Sequence, residues 1–354
     1  MESRVWPSLC LALLLVACRG SGPSAGSGES AGLPPAAPRL ELWAAVRGEQ
    51  ALLVLDGETL EPLRRIELGL GAHELCCSPD GRLGVGSAYG GPGPGHQPAD
   101  QRLAVFDPGS GALLAIHDLD RHQRPNDLEF LADGRRLWVT SEVLGQVVLL
   151  DAVSGQIERE VALPHKTGHM LALAPAASSP GGAGRLFVSH VAPGAVTALD
   201  AASGAILGQV ATQFGAEGIA ASADGTRVWC LNNRSGTISV LDGVALETLA
   251  TLPCEGFPFR VELSADGRRA LVSCPASQEL ALFDAQGLVE LRRIALHGEG
   301  GEPSPQAVAI SPDGRFGYVA RAGQNRILRL DLDSGAVLAE RETGPLLDPL
   351  LLKG

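Results

Sequence analysis

The chain has 354 residues and a formal charge of −12, and it is 45% hydrophobic but only 4% aromatic. Its acidity argues against non-specific nucleic-acid binding, which requires a basic surface. Its 45 Gly and 24 Pro residues suit a fold with many tight turns, so we expect a β-rich domain whose sheets are filled by aliphatic side chains.

The first segment, residues 1–17, has the pattern of a secretory signal. Arg4 supplies a short positive region, and an apolar stretch follows that is too short for a bilayer, which requires about 20 residues. Leu15-Val16-Ala17-Cys18 resembles a bacterial lipobox. The resemblance implies cleavage before Cys18 and lipid attachment to it. An ordinary secretory signal with an incidental cysteine is the alternative.

The second segment, residues 18–39, begins with Cys18 and is rich in Gly, Ser, Pro and Ala. Such a composition cannot bury a core and predicts a flexible tether. Arg19, and not aspartate, follows the cysteine, which by resemblance to sorting rules favours the outer membrane. We therefore expect a lipid-anchored protein of the bacterial cell envelope, facing the periplasm or the cell surface.

Seven aspartates recur along residues 40–352, and each closes a short hydrophobic stretch such as LLVLD or ISVLD. Their basal spacing of about 42 residues is typical of a repeat fold built from small sheets. We expect each aspartate to cap a turn through side-chain-to-backbone hydrogen bonds. They are Asp56, Asp107, Asp151, Asp200, Asp242, Asp284 and Asp331.

One repeat, residues 306–335, shows the internal plan most clearly. A short apolar strand at 307–310 is followed by the turn Ser311-Pro312-Asp313-Gly314, in which Pro presets φ and Gly accepts a positive φ. Strands at 316–320 and 326–330 follow, and a fourth begins at 336 after a second turn. Four antiparallel strands joined by short loops make one propeller blade.

Six such units have a complete first strand, whereas the N-terminal segment Leu40–Gly69 has only the later three strands of a blade. Leu346–Leu352 at the C-terminus can supply the missing strand and remove the open sheet edges. The sequence therefore predicts an all-β fold, a seven-bladed β-propeller of four-stranded antiparallel blades. Its ring is closed by the C-terminal strand pairing in the N-terminal blade.

These repeats resemble the YVTN-type family, also called surface-layer or forty-residue propeller repeats. The residues that carry the resemblance are Ser311-Pro312-Asp313-Gly314, Tyr318-Val319-Ala320-Arg321 and Asp331-Leu332-Asp333-Ser334-Gly335. The resemblance covers about residues 40–352 and implies the fold. The family includes secreted binding proteins, and related seven-bladed proteins include lactonases and the heavy subunits of amine dehydrogenases.

A ligand site is expected where the first strands begin and the loops between second and third strands lie, a face that we call the axial face. Propeller ligands normally bind in the concave funnel there, although polar residues at this place can also merely solvate a water-filled channel. The candidate ligand-binding residues are His73, Glu74, Asn126, Asp127, His169, His190, Glu217, Arg234, Arg260, Gln306 and Arg321, with Glu142, Asn232 and Asn233 in the same loops.

Two kinds of metal site are conceivable on this face. His165, His169 and His190 fall in or near one blade, and neutral imidazoles suit zinc or copper. Glu74, Asp127 and Glu217 are three acids that can ring the axis as in calcium-binding lactonase-like propellers. Neither set has a compact ligand spacing, so no cofactor is predicted and a metal ion remains open.

Five cysteines remain after Cys10 leaves with the signal and Cys18 takes lipid. Cys254 lies just before a first strand and Cys274 ends the next strand of the same blade, so the two can approach each other and form a disulfide. The alternative is that all five cysteines are small buried apolar residues.

The leading interpretation is a membrane-anchored extracytoplasmic propeller that binds a protein or small-molecule partner on its axial face. The alternative is a lactonase-like hydrolase or an accessory subunit of a periplasmic dehydrogenase or electron-transfer system. The sequence contains no GxSxG elbow, P-loop or dinucleotide fingerprint. It also contains no CxxCH haem site, so a redox cofactor would have to reside on a partner.

Overall fold

The computed structural model describes residues 40–91, 98–175, 184–296 and 305–353, and these residues belong to one compact unit. Within the described residues, 28 strands form seven four-stranded antiparallel sheets arranged as the blades of a ring. The predicted signal, Cys18 and tether lie outside the described residues. In the described part, no helix is long and apolar enough to cross a membrane.

Each blade is numbered from the N-terminus, and its strands are numbered one to four from the axis outward. The first four blades contain these strands, given in that order: blade 1, β28 (Leu347–Lys353), β1 (Glu41–Val46), β2 (Ala51–Asp56) and β3 (Pro62–Glu67); blade 2, β4 (Ala72–Cys77), β5 (Gly84–Ala88), β6 (Arg102–Phe106) and β7 (Leu113–Asp118); blade 3, β8 (Pro125–Phe130), β9 (Arg136–Ser141), β10 (Gln146–Asp151) and β11 (Ile157–Ala162); blade 4, β12 (Gly168–Ala174), β13 (Arg185–His190), β14 (Ala195–Asp200) and β15 (Ile206–Ala211).

The last three blades follow the same plan without interruption. They contain, in blade 5, β16 (Ala216–Ala221), β17 (Arg227–Asn232), β18 (Thr237–Asp242) and β19 (Thr248–Pro253); in blade 6, β20 (Val261–Leu263), β21 (Arg269–Cys274), β22 (Glu279–Asp284) and β23 (Val289–Ala295); in blade 7, β24 (Ala307–Ile310), β25 (Phe316–Arg321), β26 (Arg326–Asp331) and β27 (Val337–Glu342).

The ring closes as the sequence predicts. Strand β28 from the C-terminus pairs antiparallel with β1, with Leu352 opposite Leu42 and Leu350 opposite Ala44. Leu347 and Leu350 are buried in a cluster that also contains residues of β1 and of blade 7. The closing strand therefore joins the two ends of the chain and fills the seam between the first and last blades.

The seven repeated aspartates each cap the turn that follows a third strand. These turns lie on the face opposite the axial face, and we call that opposite face the turn face. In blade 1, Asp56 Oδ1 accepts hydrogen bonds from the backbone N–H groups of Glu58 and Thr59. The other six aspartates make the same contacts with the two residues that follow at the same offsets, or with the second of them. This confirms that their role is structural.

Large side chains at the third position of the second strand hold neighbouring blades together. Trp138 donates from Nε1 to the carbonyl of Ala201 in the next blade at 2.8 Å, and Tyr318 donates to the carbonyl of Gly57 at 2.6 Å. Both rings are fully buried. These two hydrogen bonds tie blade 3 to blade 4 and blade 7 to blade 1.

Candidate functional site

The first strands begin at the axial face with a change of register. In blades 2 to 5, the pairing of the first strand with the second slips near its start, and such bulges re-aim side chains and leave backbone groups unpaired. The four slips lie between Ala72 and Glu74, Pro125 and Leu128, Gly168 and Leu171, and Ala216 and Ile219.

Buried hydroxyl groups on the second strands satisfy the backbone groups that the bulges free. Ser189 accepts from the N–H of Met170 in its own blade at 3.1 Å and donates to the carbonyl of Glu217 in the next blade at 2.6 Å. Ser87 makes the equivalent pair of bonds with Glu74 and Asn126. The polar residues of the axial face are thus held by the backbone of two adjacent blades at once.

The same device holds the segment before β20. The N–H of Arg260 donates to Ser273 Oγ at 3.0 Å, and that hydroxyl donates to the carbonyl of Gln306 in blade 7 at 3.2 Å. In blade 3, Thr140 Oγ1 accepts from the N–H of Asp127 at 2.9 Å. Because these hydroxyls are fully buried, their bonds give the backbone at the mouth of the channel a fixed path.

Arg260 crosses the axis of the ring. Its guanidinium donates from Nη2 to Glu74 Oε1 at 2.6 Å, although the two residues belong to blades 6 and 2. Both side chains are largely buried, with 14% and 10% exposed. The charges of Glu74, Glu217, Asp348 and Asp127 raise the pKa of Arg260 against the opposing effect of its burial. One cation is therefore shared by carboxylates from four blades.

Glu217 of blade 5 anchors a second part of this network. Its carboxylate lies 3.2 Å from His169 Nε2, and it accepts from Asn233 Nδ2 at 2.5 Å. Asn126 from blade 3 places its side-chain amide 2.8 Å from His169 Nδ1. Burial acts to lower the pKa of His169, and the Glu217 carboxylate more than offsets it, so the pKa is raised. His169 therefore links three blades, and the Glu217 carboxylate stabilises its protonated form.

Asp348 anchors the third part of the network from the closing strand. Its Oδ2 lies 2.8 Å from His73 Nδ1 and 3.0 Å from Arg47 Nη1. Burial raises the pKa of Asp348, but His73 and Arg47 more than compensate and hold it below its usual value. The carboxylate is thus ionised and paired, and it ties the C-terminal strand to the site.

Below Arg260 the first strands enclose a channel cavity of about 350 Å³. Asp127 and Glu129 of β8 and Glu262 of β20 face it. Burial and the charge of Glu74 raise the pKa of Asp127 to about 7, and burial and the charge of Asp127 raise that of Glu129 to about 8. Glu262 is accessible to water within the channel, but its enclosure by the channel walls and the charge of Asp127 raise its pKa to about 8 as well.

These shifts make stability fall as the pH rises. An unfolded glutamate loses its proton near pH 4.3, whereas folded Glu129 keeps it to about pH 8, so the unfolded state binds fewer protons between these values. We expect Glu129→Gln to remove this contribution and to reduce the loss of unfolding free energy between pH 5 and pH 8 by roughly 3 kcal/mol. Urea denaturation at both pH values measures it.

Glu58→Gln, on an exposed turn of blade 1, is the matched control for that measurement, because it makes the same chemical change outside the channel. It should leave the difference between pH 5 and pH 8 as it is in the wild type. A Glu129→Gln variant with the wild-type pH dependence would show that Glu129 is not held protonated in the folded state.

The structure brings together seven of the expected site residues around the axis. All seven belong to first strands or to the residues just before them. They are His73, Glu74, Asn126, Asp127, His169, Glu217 and Arg260. The backbone carbonyl of Gln306 takes part through Ser273, and Asn233 joins through Glu217.

Three other expected residues, His190, Asn232 and Arg321, end a second strand, and Arg234 lies in the loop after one. His190 bonds Thr197 at 2.8 Å, and Asn232 bonds Ser239 at 3.0 Å. The pKa of Arg321 is lowered by burial and is influenced by charges on β26 and β27 of its own blade. Arg234 is exposed on the rim, with its guanidinium 5.7 Å from the ring centre of Phe214.

The expected metal ligands do not converge in this arrangement. His165 and His190 stack edge to face with ring centres 5.2 Å apart, whereas His169 turns to Glu217. Across the ranges that the structure describes, no three His, Cys, Asp or Glu side chains are placed to hold a metal ion. Glu74 pairs with Arg260 and Glu217 pairs with His169 instead.

Three residues of the site are not among the candidates that the sequence pattern gives. Glu129 and Glu262 lie two positions after Asp127 and Arg260, and strand alternation places them on the same, channel-facing side. That alternation is a signal in the sequence. Asp348 lies in the closing strand, where only the pairing role of the segment is evident from the sequence.

Comparison with known proteins supports the fold. No protein-family model and no curated protein matches the chain. Among solved structures it is similar to a functionally unknown protein from Desulfotomaculum acetoxidans DSM 771, with a TM-score of 0.71 and 13% identity over 88% of this chain and 98% of that chain.

Two further solved structures are enzymes according to their descriptions. Kuenenia stuttgartiensis hydrazine synthase is similar with a TM-score of 0.65 and 15% identity over 79% of this chain and 88% of that chain. The dihydro-haem d1 dehydrogenase NirN in complex with DHE is similar with a TM-score of 0.57 and 17% identity over 88% of this chain and 74% of that chain. At these identities the likeness extends to the propeller fold alone.

Proposed function

We propose that this propeller is a lipid-anchored binding module of the bacterial cell envelope, of the YVTN-repeat type, whose ligand enters at the axial face. The observation that carries the proposal is that polar side chains from blades 1 to 6 meet at the axis, with Arg260 of blade 6 at their centre. Such convergent polar groups above a concave cavity are the usual form of a ligand site. The lipobox at Leu15–Cys18 supports the anchor, and the tether after it suits a docking role.

The acidic groups of the site favour a ligand that presents a positive group. Glu74, Glu217 and Asp348 lie at the mouth and pair with Arg260, His169 and Arg47. The carboxyl groups of Asp127, Glu129 and Glu262 line the channel below, and a cation that enters would stabilise their ionised forms against the raised pKa values that keep them largely protonated near pH 7. A cationic group that bonds to Glu74 would compete directly with Arg260. The ligand is therefore a protein with an exposed basic side chain or a small molecule that carries an ammonium or guanidinium group.

A capture experiment tests this function. Purified wild-type protein and the double variant Glu74→Gln/Glu217→Gln are used to capture partners from solubilised cell membranes, and bound proteins and small molecules are identified by mass spectrometry. Glu58→Gln/Glu247→Gln makes the same chemical change at exposed residues outside the axial face. We expect the same ligand with the wild type and this control, and its loss with the axial variant. Equal recovery by all three proteins, or no specific recovery by the wild type, would refute the proposal.

A second candidate function is an accessory subunit of a dehydrogenase or electron-transfer system. It is supported by the fold shared with a hydrazine synthase and with the dehydrogenase NirN. Since this chain has no CxxCH sequence, the redox cofactor would belong to the partner. The same capture experiment separates the two functions, because it would then recover a cofactor-containing protein.

A further inference from the structure

Two cysteines at the segment that leads to Arg260 are close enough to interact. Cys254 follows β19 and begins the connector 254–260, and Cys274 ends β21. Their Sγ atoms are 3.8 Å apart, and both residues are fully buried as thiols. A disulfide requires about 2.05 Å between the sulfurs, so a small movement of one side chain would bring them to bonding distance.

Arg293 of β23 places its guanidinium against both sulfurs. Its Nη1 lies 3.5 Å from Cys274 Sγ, and its Nη2 lies 3.7 Å from Cys254 Sγ. A buried thiol in apolar surroundings is inert, whereas a neighbouring guanidinium favours the reactive thiolate. The hydrogen bond from Cys274 and the charge of Arg293 lower the pKa of Cys254 despite its burial.

Cys230 provides an internal comparison on the neighbouring blade. It is fully buried in an apolar cluster, and burial alone raises its pKa well above the usual value. Cys76 is also buried, and its pKa is raised. Cys254 therefore differs from these buried cysteines in having both a second sulfur and a cation beside it.

We propose that Cys254 and Cys274 form a redox-active pair that closes to a disulfide by exchange with another disulfide. Local opening of the connector exposes Cys254, whose thiolate attacks a sulfur of the oxidant, a low-molecular-weight or protein disulfide, and displaces one thiolate from it. Cys274 then loses its proton and attacks Cys254 Sγ, which releases the second thiolate. The pair loses two electrons and two protons, and the oxidant is reduced to two thiols.

The bridge would act on the segment that positions Arg260. In the connector, Gly256 has a φ of +91° and packs beside Cys274 and Ser277, and its carbonyl accepts from the N–H of Ala276 at 3.1 Å. A covalent bond between Cys254 and Cys274 would join the start of the connector to the end of β21, against which Gly256 packs. The redox state of the pair thus regulates the mobility of the connector and of the arginine at its end. The disulfide itself stands whether or not the axial face binds a ligand.

Refolding in a redox buffer tests the pair. The full chain is refolded from denaturant in mixtures of oxidised and reduced glutathione, quenched with acid, alkylated and mapped by mass spectrometry. We expect a Cys254–Cys274 disulfide in the wild type and in the control Cys230→Ser, and no such bridge in Cys254→Ser. Free thiols at both positions under the most oxidising mixture, or a preference of Cys254 for another cysteine, would overturn the proposal.

The two redox states also differ in a second readout. Hydrogen–deuterium exchange of a peptide covering 254–260 should be slower in the oxidised protein, while a peptide covering β26 in blade 7 should exchange equally in both states. Equal exchange of the connector in both states would overturn its regulation but leave the disulfide, and it would not touch the proposed binding function.

The part assigned to Arg293 has its own variants. Oxidation of the reduced, folded protein by oxidised glutathione at pH 7 should be about tenfold slower in Arg293→Met, because less Cys254 is ionised. Arg293→Lys should restore most of the rate, since it keeps the charge. Arg292→Met, which alters an exposed neighbour on the same strand, is the control. A wild-type rate in Arg293→Met would overturn the role of the guanidinium.

Discussion

Removal of residues 345–354 will abolish the cooperative folding of the propeller. The truncation deletes β28, the innermost strand of blade 1, and takes Leu347 and Leu350 out of a shared core with blade 7. Each such buried leucine contributes about 2–5 kcal/mol. Their combined loss, together with the unpaired edge of β1, approaches the whole stability of about 5–15 kcal/mol that is usual for a domain.

Thermal unfolding followed by circular dichroism measures this loss. We expect the truncated protein to be unfolded at 37 °C and to show no cooperative transition on heating. We expect a synthetic peptide of residues 345–354 to restore the transition when it is added in excess. A chain that lacks only Gly354 is the control and should melt as the wild type does. An unchanged melting temperature after removal of the strand would contradict the closure of the ring.

Replacement of Arg260 by methionine will have the second largest effect, at pH 8. The variant leaves Glu74, Glu217, Asp348 and Asp127 around the axis without their shared cation. Removing one partner from a buried charge cluster costs about 3–5 kcal/mol, because the remaining charges stay buried. The cost should be smaller at pH 5, where Asp127, with a pKa of about 7, is protonated and adds no charge to the cluster.

Urea denaturation at pH 5 and pH 8 measures both parts of this prediction. Arg234→Met removes an exposed arginine from the rim of the same face, and it should change the unfolding free energy by no more than about 0.5 kcal/mol. If Arg260→Met were as stable as Arg234→Met at pH 8, Arg260 could not be the cation that the carboxylates share.

Most of the architecture could be predicted because it repeats. The aspartates report the third strands of all seven blades, and the Asp-Gly turns report where most first strands end. The absence of a first strand before Asp56 predicts the pairing of Leu346–Leu352 with the N-terminal blade, and β28 confirms it. Repetition makes each local signal count several times.

The site could be predicted only in part because it does not repeat. Strand direction correctly places His169 and Arg260 on one face, but the bulges at the starts of the first strands decide which side chains reach the axis. His190 is the last residue of β13, and its ring bonds to Thr197 inside its own blade instead of reaching the axis. The loop begins one position later, at Val191. Such a difference of one position has no marker in the sequence.

The pairing of Arg260 with Glu74 can be predicted from neither residue alone. They are 186 positions apart in the chain and meet because blades 6 and 2 face each other across the ring. The same holds for Asp348, which reaches His73 because the C-terminal strand returns to the first blade. Long-range contacts of this kind can be predicted only when the arrangement of the closed ring is already known.

The measurement that tests the shared axial network most directly is a double-mutant cycle between Glu74 and Arg260. The unfolding free energies of the wild type, Glu74→Gln, Arg260→Met and the double variant are compared at pH 8, and the coupling energy isolates the interaction of the two side chains. The structure predicts a favourable coupling of about 2 kcal/mol or more, as expected for a buried hydrogen-bonded charge pair. A coupling energy of zero, with the two single effects adding in the double variant, would contradict an arginine that spans the axis to pair with Glu74.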